Sequence, residues 1–196
     1  MVDDLPRREF RSRDELRTWL QQNGRSESSF WLVTYKKHVP EYYLRYGEVV
    51  EELLCFGWVD GRSRRVDDDR TSLLVAPRKA GSTWSAPNKE RVARLTEQGL
   101  MTAAGQRKID DAREDGSWSY LDDIDRLIVP DDLGEALNRN AKARRNFDGF
   151  NDSAKKIILL WIKTAKREAT RSKRISETVR LAAKNVKAAH PEAKGV

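Results

Sequence analysis

Leu54-Cys55-Phe56-Gly57-Trp58-Val59-Asp60-Gly61 is the stretch on which the reading of this fold turns. It joins the end of an apolar helix to a Trp-Val-Asp segment, with a glycine before and after that segment. Upstream, Val49, Val50, Leu53 and Leu54 recur at the three-and-four spacing of an amphipathic helix, and Glu48, Glu51 and Glu52 mark its wetter side. Gly57 is placed to stop that helix. Downstream, Trp58 to Asp60 and Arg62 to Val66 read as a strand broken at Gly61. Asp67-Asp68-Asp69 is a turn, and Thr71 to Ala76 is the returning strand, ended by Pro77. A helix that runs straight into an antiparallel pair points to an α+β fold.

The flanks extend the pattern. Ser12-Arg13-Asp14-Glu15 reads as a capping box, followed by the stripe Leu16, Trp19, Leu20 and a left-handed stop at Asn23-Gly24. Phe30 to Tyr35 is aromatic and β-branched, a strand signal with Lys36 and Lys37 at its exit. The expectation is a small, mainly antiparallel sheet of about three strands with helices on one face. Ser85 caps a helix carrying Val92 and Leu95 that Gly99 closes, and Thr102 caps another that runs to about Asp115. Gly116-Ser117-Trp118-Ser119 breaks the composition, so residues 1–116 are read as an α+β domain and residues 117–196 as a basic, all-helical one. In the second, Pro130-Asp131-Asp132 opens a helix with acids at the positive end of its dipole. Asn151-Asp152-Ser153 starts another, with Ile157, Leu160, Trp161 and Thr164 on its face. Thr170 starts a last one bearing Ile175, Val179, Ala182 and Val186, and the tail from about Ala188 is expected to fray.

Composition narrows the class. Six Trp, five Tyr and five Phe in 196 residues argue for a folded chain of one domain, or one with a helical extension. The start is charged, without a secretory signal, and the longest apolar run, Ile157 to Ile162, is far short of the roughly 20 residues that span a bilayer. A cytoplasmic protein with no transmembrane segment is the expectation. Cys55 is the only cysteine, which excludes an intramolecular disulfide and a four-cysteine metal site. The net charge of +7 is uneven: residues 108–135 hold ten Asp/Glu against three Lys/Arg, and residues 139–187 hold fifteen Lys/Arg against four Asp/Glu. Either the basic run faces a nucleic acid or acidic partner, or the acidic run folds against it.

Trp58, Asp60, Arg78, Trp84, Ser85 and Asn88 are candidates for a ligand pocket, with Lys36 and Lys37 at its rim. If they converge, two indoles form stacking walls and Arg78 offers a forked donor to carboxylate or phosphate. Asp60 would orient Arg78 or accept from a ligand, and Ser85 with the helix behind it would donate to an anion. The competing reading is structural: core tryptophans, a turn aspartate and a helix cap. Catalytic templates fit poorly. His38 and His190 fall in a loop and the tail, Cys55 lies at an apolar helix end, and no glycine-rich phosphate loop is present. Asp67-Asp68-Asp69 lacks the alternation and distal Glu of a calcium loop, so no metal and no cofactor is expected. Lys155, Lys156, Lys163, Lys166, Arg167, Arg171, Lys173 and Arg174 are candidates for binding nucleic-acid phosphates, with little aromatic interleaving beyond Trp161.

Together these residues resemble the YdeI/OmpD-associated family, the bacteriocin-protection proteins. The resemblance rests on Trp31 with Tyr35-Lys36-Lys37, the Leu54 to Gly61 stretch, Pro77-Arg78, Ser82-Thr83-Trp84-Ser85, Asn88 and Gly99-Leu100-Met101. Pro130, Ala165-Lys166, Thr170-Arg171 and Arg174-Ile175 continue it, over a span from about Phe10 to Lys184. It implies a role in protection against bacteriocins or antimicrobial peptides and a link to an outer-membrane porin, without an assigned reaction. The expectation is therefore a non-enzymatic stress or antimicrobial-resistance protein that binds a small anion or a protein partner. The alternatives are a nucleic-acid-binding protein acting through its basic helices and an uncharacterised enzyme using Trp58, Asp60 and Arg78.

Overall fold

The computed structural model describes residues 4–189. They divide into two compact units between Tyr120 and Leu121. The first contains Arg7–Glu9 (β1), Arg13–Asn23 (α1), Phe30–Tyr35 (β2), Tyr46–Cys55 (α2), Trp58–Arg65 (β3), Arg70–Pro77 (β4), Ala86–Glu97 (α3) and Ala103–Glu114 (α4). Its sheet has four strands in the order β1-β2-β4-β3, antiparallel except for the β1–β2 pair. The extra strand escaped the sequence reading because Arg7-Arg8-Glu9 has no apolar alternation; backbone pairing with Trp31 to Val33 makes it. The irregularity expected at Gly61 is a register shift between Asp60 and Ser63.

Caps and stops follow local chemistry. Ser12 Oγ accepts from Glu15 N at 3.1 Å, and Glu15 reaches back to Arg11 N at 2.8 Å. Gly57 takes φ 75° between α2 and β3, a conformation that suits glycine. Gly24 corrects the expectation of a left-handed stop, since its φ is −62°. It is glycine for space: a Cβ there would lie 2.5 Å from the Leu20 carbonyl oxygen and 3.4 Å from Trp58 Nε1.

α2 is apolar on two faces. Val49 and Leu53 enter a cluster with Phe10, Leu16, Leu20, Phe30, Leu32, Trp58 and Val75, between the sheet and α1. Val50, Leu54 and Cys55 enter another with Trp84, Val92, Leu95 and Ile109, contributed by α3, α4 and the segment before α3. A helix covered on both sides leaves little wet surface, and Glu52 is only 1% exposed, against its reading as a solvated residue. α4 closes on the end of α2, with Thr102 Oγ1 donating to the Cys55 carbonyl at 2.6 Å. The unit continues past Gly116 because Trp118 packs on Trp84, with ring centroids 5.1 Å apart.

The second unit is helical throughout: Asp122–Asp125 (α5), Asp131–Asn138 (α6), Ala141–Asp148 (α7), Asp152–Lys163 (α8) and Glu168–Ala182 (α9). α9 packs against α6, α7 and α8. Asn140 and Asn151 cap α7 and α8 by accepting from Ala143 N and Ala154 N. The core face of α8 is Ala154, Ile158, Leu159 and Ile162, whereas Ile157 and Leu160 are exposed, so the stripe read from the sequence is rotated. Six consecutive apolar residues admit more than one helical stripe, and packing chose another. Ala188, placed in a fraying tail by the sequence reading, is buried; His190 and the residues after it lie outside those described. Among the described residues no helix is long and apolar enough to cross a membrane.

Candidate functional site

The residues proposed as one pocket separate in space. Trp58 is sealed in the cluster beneath the sheet, its Nε1 donating to the Gly24 carbonyl at 3.1 Å. Trp84 is sealed in the other cluster. The two indoles therefore do not wall a shared, water-accessible hollow. Only Arg78 joins Trp84, with its Cζ 3.8 Å from the ring centroid. Arg78 is itself buried, and burial, opposed by the more remote Asp60 charge, pushes its pKa down to about 10. Ser85 stands at the N-cap of α3 without a side-chain cap bond, and Asn88 accepts from Arg91 Nη1 at 3.3 Å. Ser85 therefore caps only through its backbone, its carbonyl accepting from Asn88 N and Lys89 N at 3.0 Å.

A cavity of about 440 Å³ lies elsewhere in the first unit, over the helix-covered face of the sheet. The register explains it: Leu32 pairs with Leu73 and Thr34 with Thr71, so these four point to the side on which α2 lies. The N-terminal end of α2 does not cover the last of them. Leu32, Leu44, Val49 and Leu73 give the cavity apolar walls, while Tyr35, Tyr43 and Tyr46 add aromatic ones. Lys36 and Lys37 line it as well, so two members of the expected set do meet at a hollow. Lys36 Nζ is committed to the turn between β3 and β4, donating to the Asp67 and Asp68 carbonyls at 2.7 and 2.8 Å. The Lys37 side chain is exposed and has no hydrogen bond or ion pair with a described residue. Tyr43 and Tyr46 were not singled out from sequence, although Tyr42-Tyr43 and Tyr46 between Pro40 and Gly47 were a visible signal.

Asp60 meets this site through Tyr46, whose hydroxyl donates to Asp60 Oδ2 at 2.6 Å. Partial desolvation, then the bond to Asp60, pushes the Tyr46 phenol up to about 12. A pKa raised on folding stabilises the fold fully below the unfolded value of about 10, and that contribution is lost as pH climbs toward the folded value. Absorbance titration should show Tyr46 among the tyrosines still protonated at pH values near 11, and Asp60→Asn should return its share of the signal toward the ordinary range. An unchanged titration in Asp60→Asn would mean that the contact does not hold in solution.

Other chemistry is spoken for. Cys55 is fully buried and burial pushes its thiol up, the opposite of an activated nucleophile. Asp67 folds back on its own turn, accepting from Asp69 N and Arg70 N and pairing with Arg70. His38 pairs with Asp69. In the second unit the basic and acidic runs meet: Lys163 with Asp123 at 2.6 Å, Lys156 with Asp125 at 3.0 Å and Arg171 with Asp132 at 2.6 Å. The Arg171 guanidinium holds the Asp132 carboxyl below its usual range. Lys155 donates to the Asp148 carbonyl, and Arg174 binds the Trp161 carbonyl and stacks on its ring. Of the candidate nucleic-acid contacts, the side chains of Lys166 and Arg167 remain without a described partner, and Lys173 acts on Glu177 through its charge alone.

Two family models match the chain. Residues 8–108 match a domain of unknown function (DUF8412), and residues 126–185 match a family described as bacteriocin-protection, YdeI or OmpD-associated. No curated protein and no solved structure gives a significant match. The YdeI/OmpD-associated match covers α6 to α9 in the second unit, a shorter span than the resemblance carried by the sequence motifs. The other covers the sheet from Arg8 onward and the first half of α4.

Proposed function

We propose a function from one premise: the chain belongs to the DUF8412 family, and it carries a bacteriocin-protection, YdeI or OmpD-associated segment at residues 126–185. The protein is a non-enzymatic, bacteriocin-protection-related binder that takes a small amphipathic anion in the cavity over its sheet. One observation carries this reading. Apolar walls from Leu32, Leu44, Val49 and Leu73, tyrosines, and an uncommitted Lys37 line the same hollow of about 440 Å³. That combination suits a ligand with an apolar or aromatic body and one negative group. The lysine supplies attraction and orientation, and the apolar walls supply most of the affinity.

The test uses anilinonaphthalene sulfonate, whose fused rings and sulfonate match this chemistry. Saturable binding to one site is expected, with affinity lowered at least about tenfold by Leu73→Trp, which fills the cavity (a tenfold change is about 1.4 kcal/mol). Lys37→Gln should weaken binding several-fold and reduce its salt dependence. Binding that is absent, or indifferent to Leu73→Trp in a variant that melts like the parent, would end the proposal.

A further inference from the structure

Pro77-Arg78 and Ser82-Thr83-Trp84-Ser85, singled out as a motif, take no part in the cavity just described. Their geometry serves another purpose. Arg78 N donates to the Gly57 carbonyl at 2.9 Å and Arg78 Nη1 to the Thr83 carbonyl at 3.1 Å. Arg78 Nε is shut away from solvent, in a residue only 3% exposed. Two buried donors there, Arg78 Nε and Trp84 Nε1, have no hydrogen-bond partner, and the buried Ser117 hydroxyl, close enough to the Asp115 carboxylate to hold its pKa down, keeps its oxygen available to accept. Their residues come from different places, two flanking the loop after β4 and one from the turn after α4, yet all three line one small cavity of about 10 Å³. That volume is near the minimum that holds a single water.

Chemistry selects the occupant. Arg78 Nε and Trp84 Nε1 can only donate, whereas the Ser117 hydroxyl donates or accepts. The occupant must therefore accept from two directions. A monatomic anion would answer the buried guanidinium, but Asp111 and Asp115 offset Lys79 and Lys108 in the same cavity wall, and a halide is larger than the water for which this space barely suffices. Asp115 already holds the Ser117 and Gly81 backbone N–H groups at 2.8 and 2.9 Å, which fixes the turn beside the cavity.

We infer that this cavity is a binding site for one integral water, which accepts from Arg78 Nε and Trp84 Nε1 and hydrogen-bonds the Ser117 hydroxyl. The water joins the loop that carries the Arg78 and Trp84 motif to the turn that follows α4. The motif thus encodes a hydration site, in which arginine and indole are chosen for their inward N–H groups.

A crystal structure of the full chain, with a parallel bromide soak, tests this. One oxygen-sized peak is expected within about 3.2 Å of the three atoms, without an anomalous bromide signal. A bromide peak would make it an anion site, and a dry cavity or direct protein partners for the two N–H groups would remove it; each of these overturns the inference. In solution, the Trp84 indole proton should show cross-relaxation with long-lived water, at an intensity cut at least about twofold in Ser117→Val, where one of the roughly three bonds that hold such a water is gone. No cross-peak in the parent, or one unchanged in Ser117→Val, overturns it equally.

Discussion

Glu52→Ala is expected to destabilise the first unit by about 3–5 kcal/mol, the cost of removing one partner from a buried ion cluster. Glu52 lies on α2 with 1% of its surface exposed, and its carboxylate takes Arg13 Nε at 2.6 Å and Arg17 Nη1 at 2.8 Å. Both arginines come from α1, and Arg17 Nη2 also donates to the Leu100 carbonyl at 2.9 Å, beyond α3. The carboxylate therefore ties two helices and a loop. Burial alone would lower the basicity of both guanidiniums, yet their bonds to Glu52 outweigh it and hold them above their usual range. Alanine leaves those cations half-buried without their main acceptor. Glu52→Gln keeps an acceptor but no charge, and should cost about 1–3 kcal/mol. The exposed Arg180–Glu177 pair sets the contrast, because solvent screens both of its charges. Denaturant unfolding followed by tryptophan fluorescence reports chiefly on the first unit, since only Trp161 lies in the second. A loss below about 1 kcal/mol in Glu52→Ala would show that water reaches this carboxylate.

The same residue shows where sequence reasoning stops. Caps, glycine stops and the β3–β4 pair were legible because each depends on neighbours in the chain: Ser12 on Glu15, Gly57 on its own φ, and the strands on the turn between them. Glu52 was misread because an amphipathic pattern assumes one covered face, and α2 has two. β1 was missed because its pairing is set by the backbone of Trp31 to Val33 and not by its own side chains. The stripe of α8 was misplaced for a third reason. In Ile157 to Ile162 every residue is apolar, so only tertiary contacts decide that Ile158, Leu159 and Ile162 turn inward. The site followed the same rule. Lys36 and Lys37 were found at a hollow, but Tyr43 and Tyr46 sit on a local aromatic-rich segment that carries no motif, and the two tryptophans drew attention that their burial does not support.

Trp58→Ala should therefore behave as a core truncation, costing about 3–5 kcal/mol, with little effect on ligand affinity in the molecules that remain folded. The indole stands among Trp19 and Phe30, with centroids 6.4 and 5.5 Å away in edge-on geometry, and it is 1% exposed. Its N–H holds the Gly24 carbonyl at the end of α1, so the ring pins the start of β3 to that helix end. Trp58→Phe separates the two contributions. It keeps most of the apolar contact but leaves the Gly24 carbonyl unpaired, for an expected loss of about 1–2 kcal/mol by unfolding titration. A ligand-contacting tryptophan would show the reverse pattern, with stability preserved and affinity lost in both variants. The two possibilities thus differ in which of two measured quantities moves. The geometry at Gly24, where a Cβ would come within 3.4 Å of the indole nitrogen, commits this residue to packing.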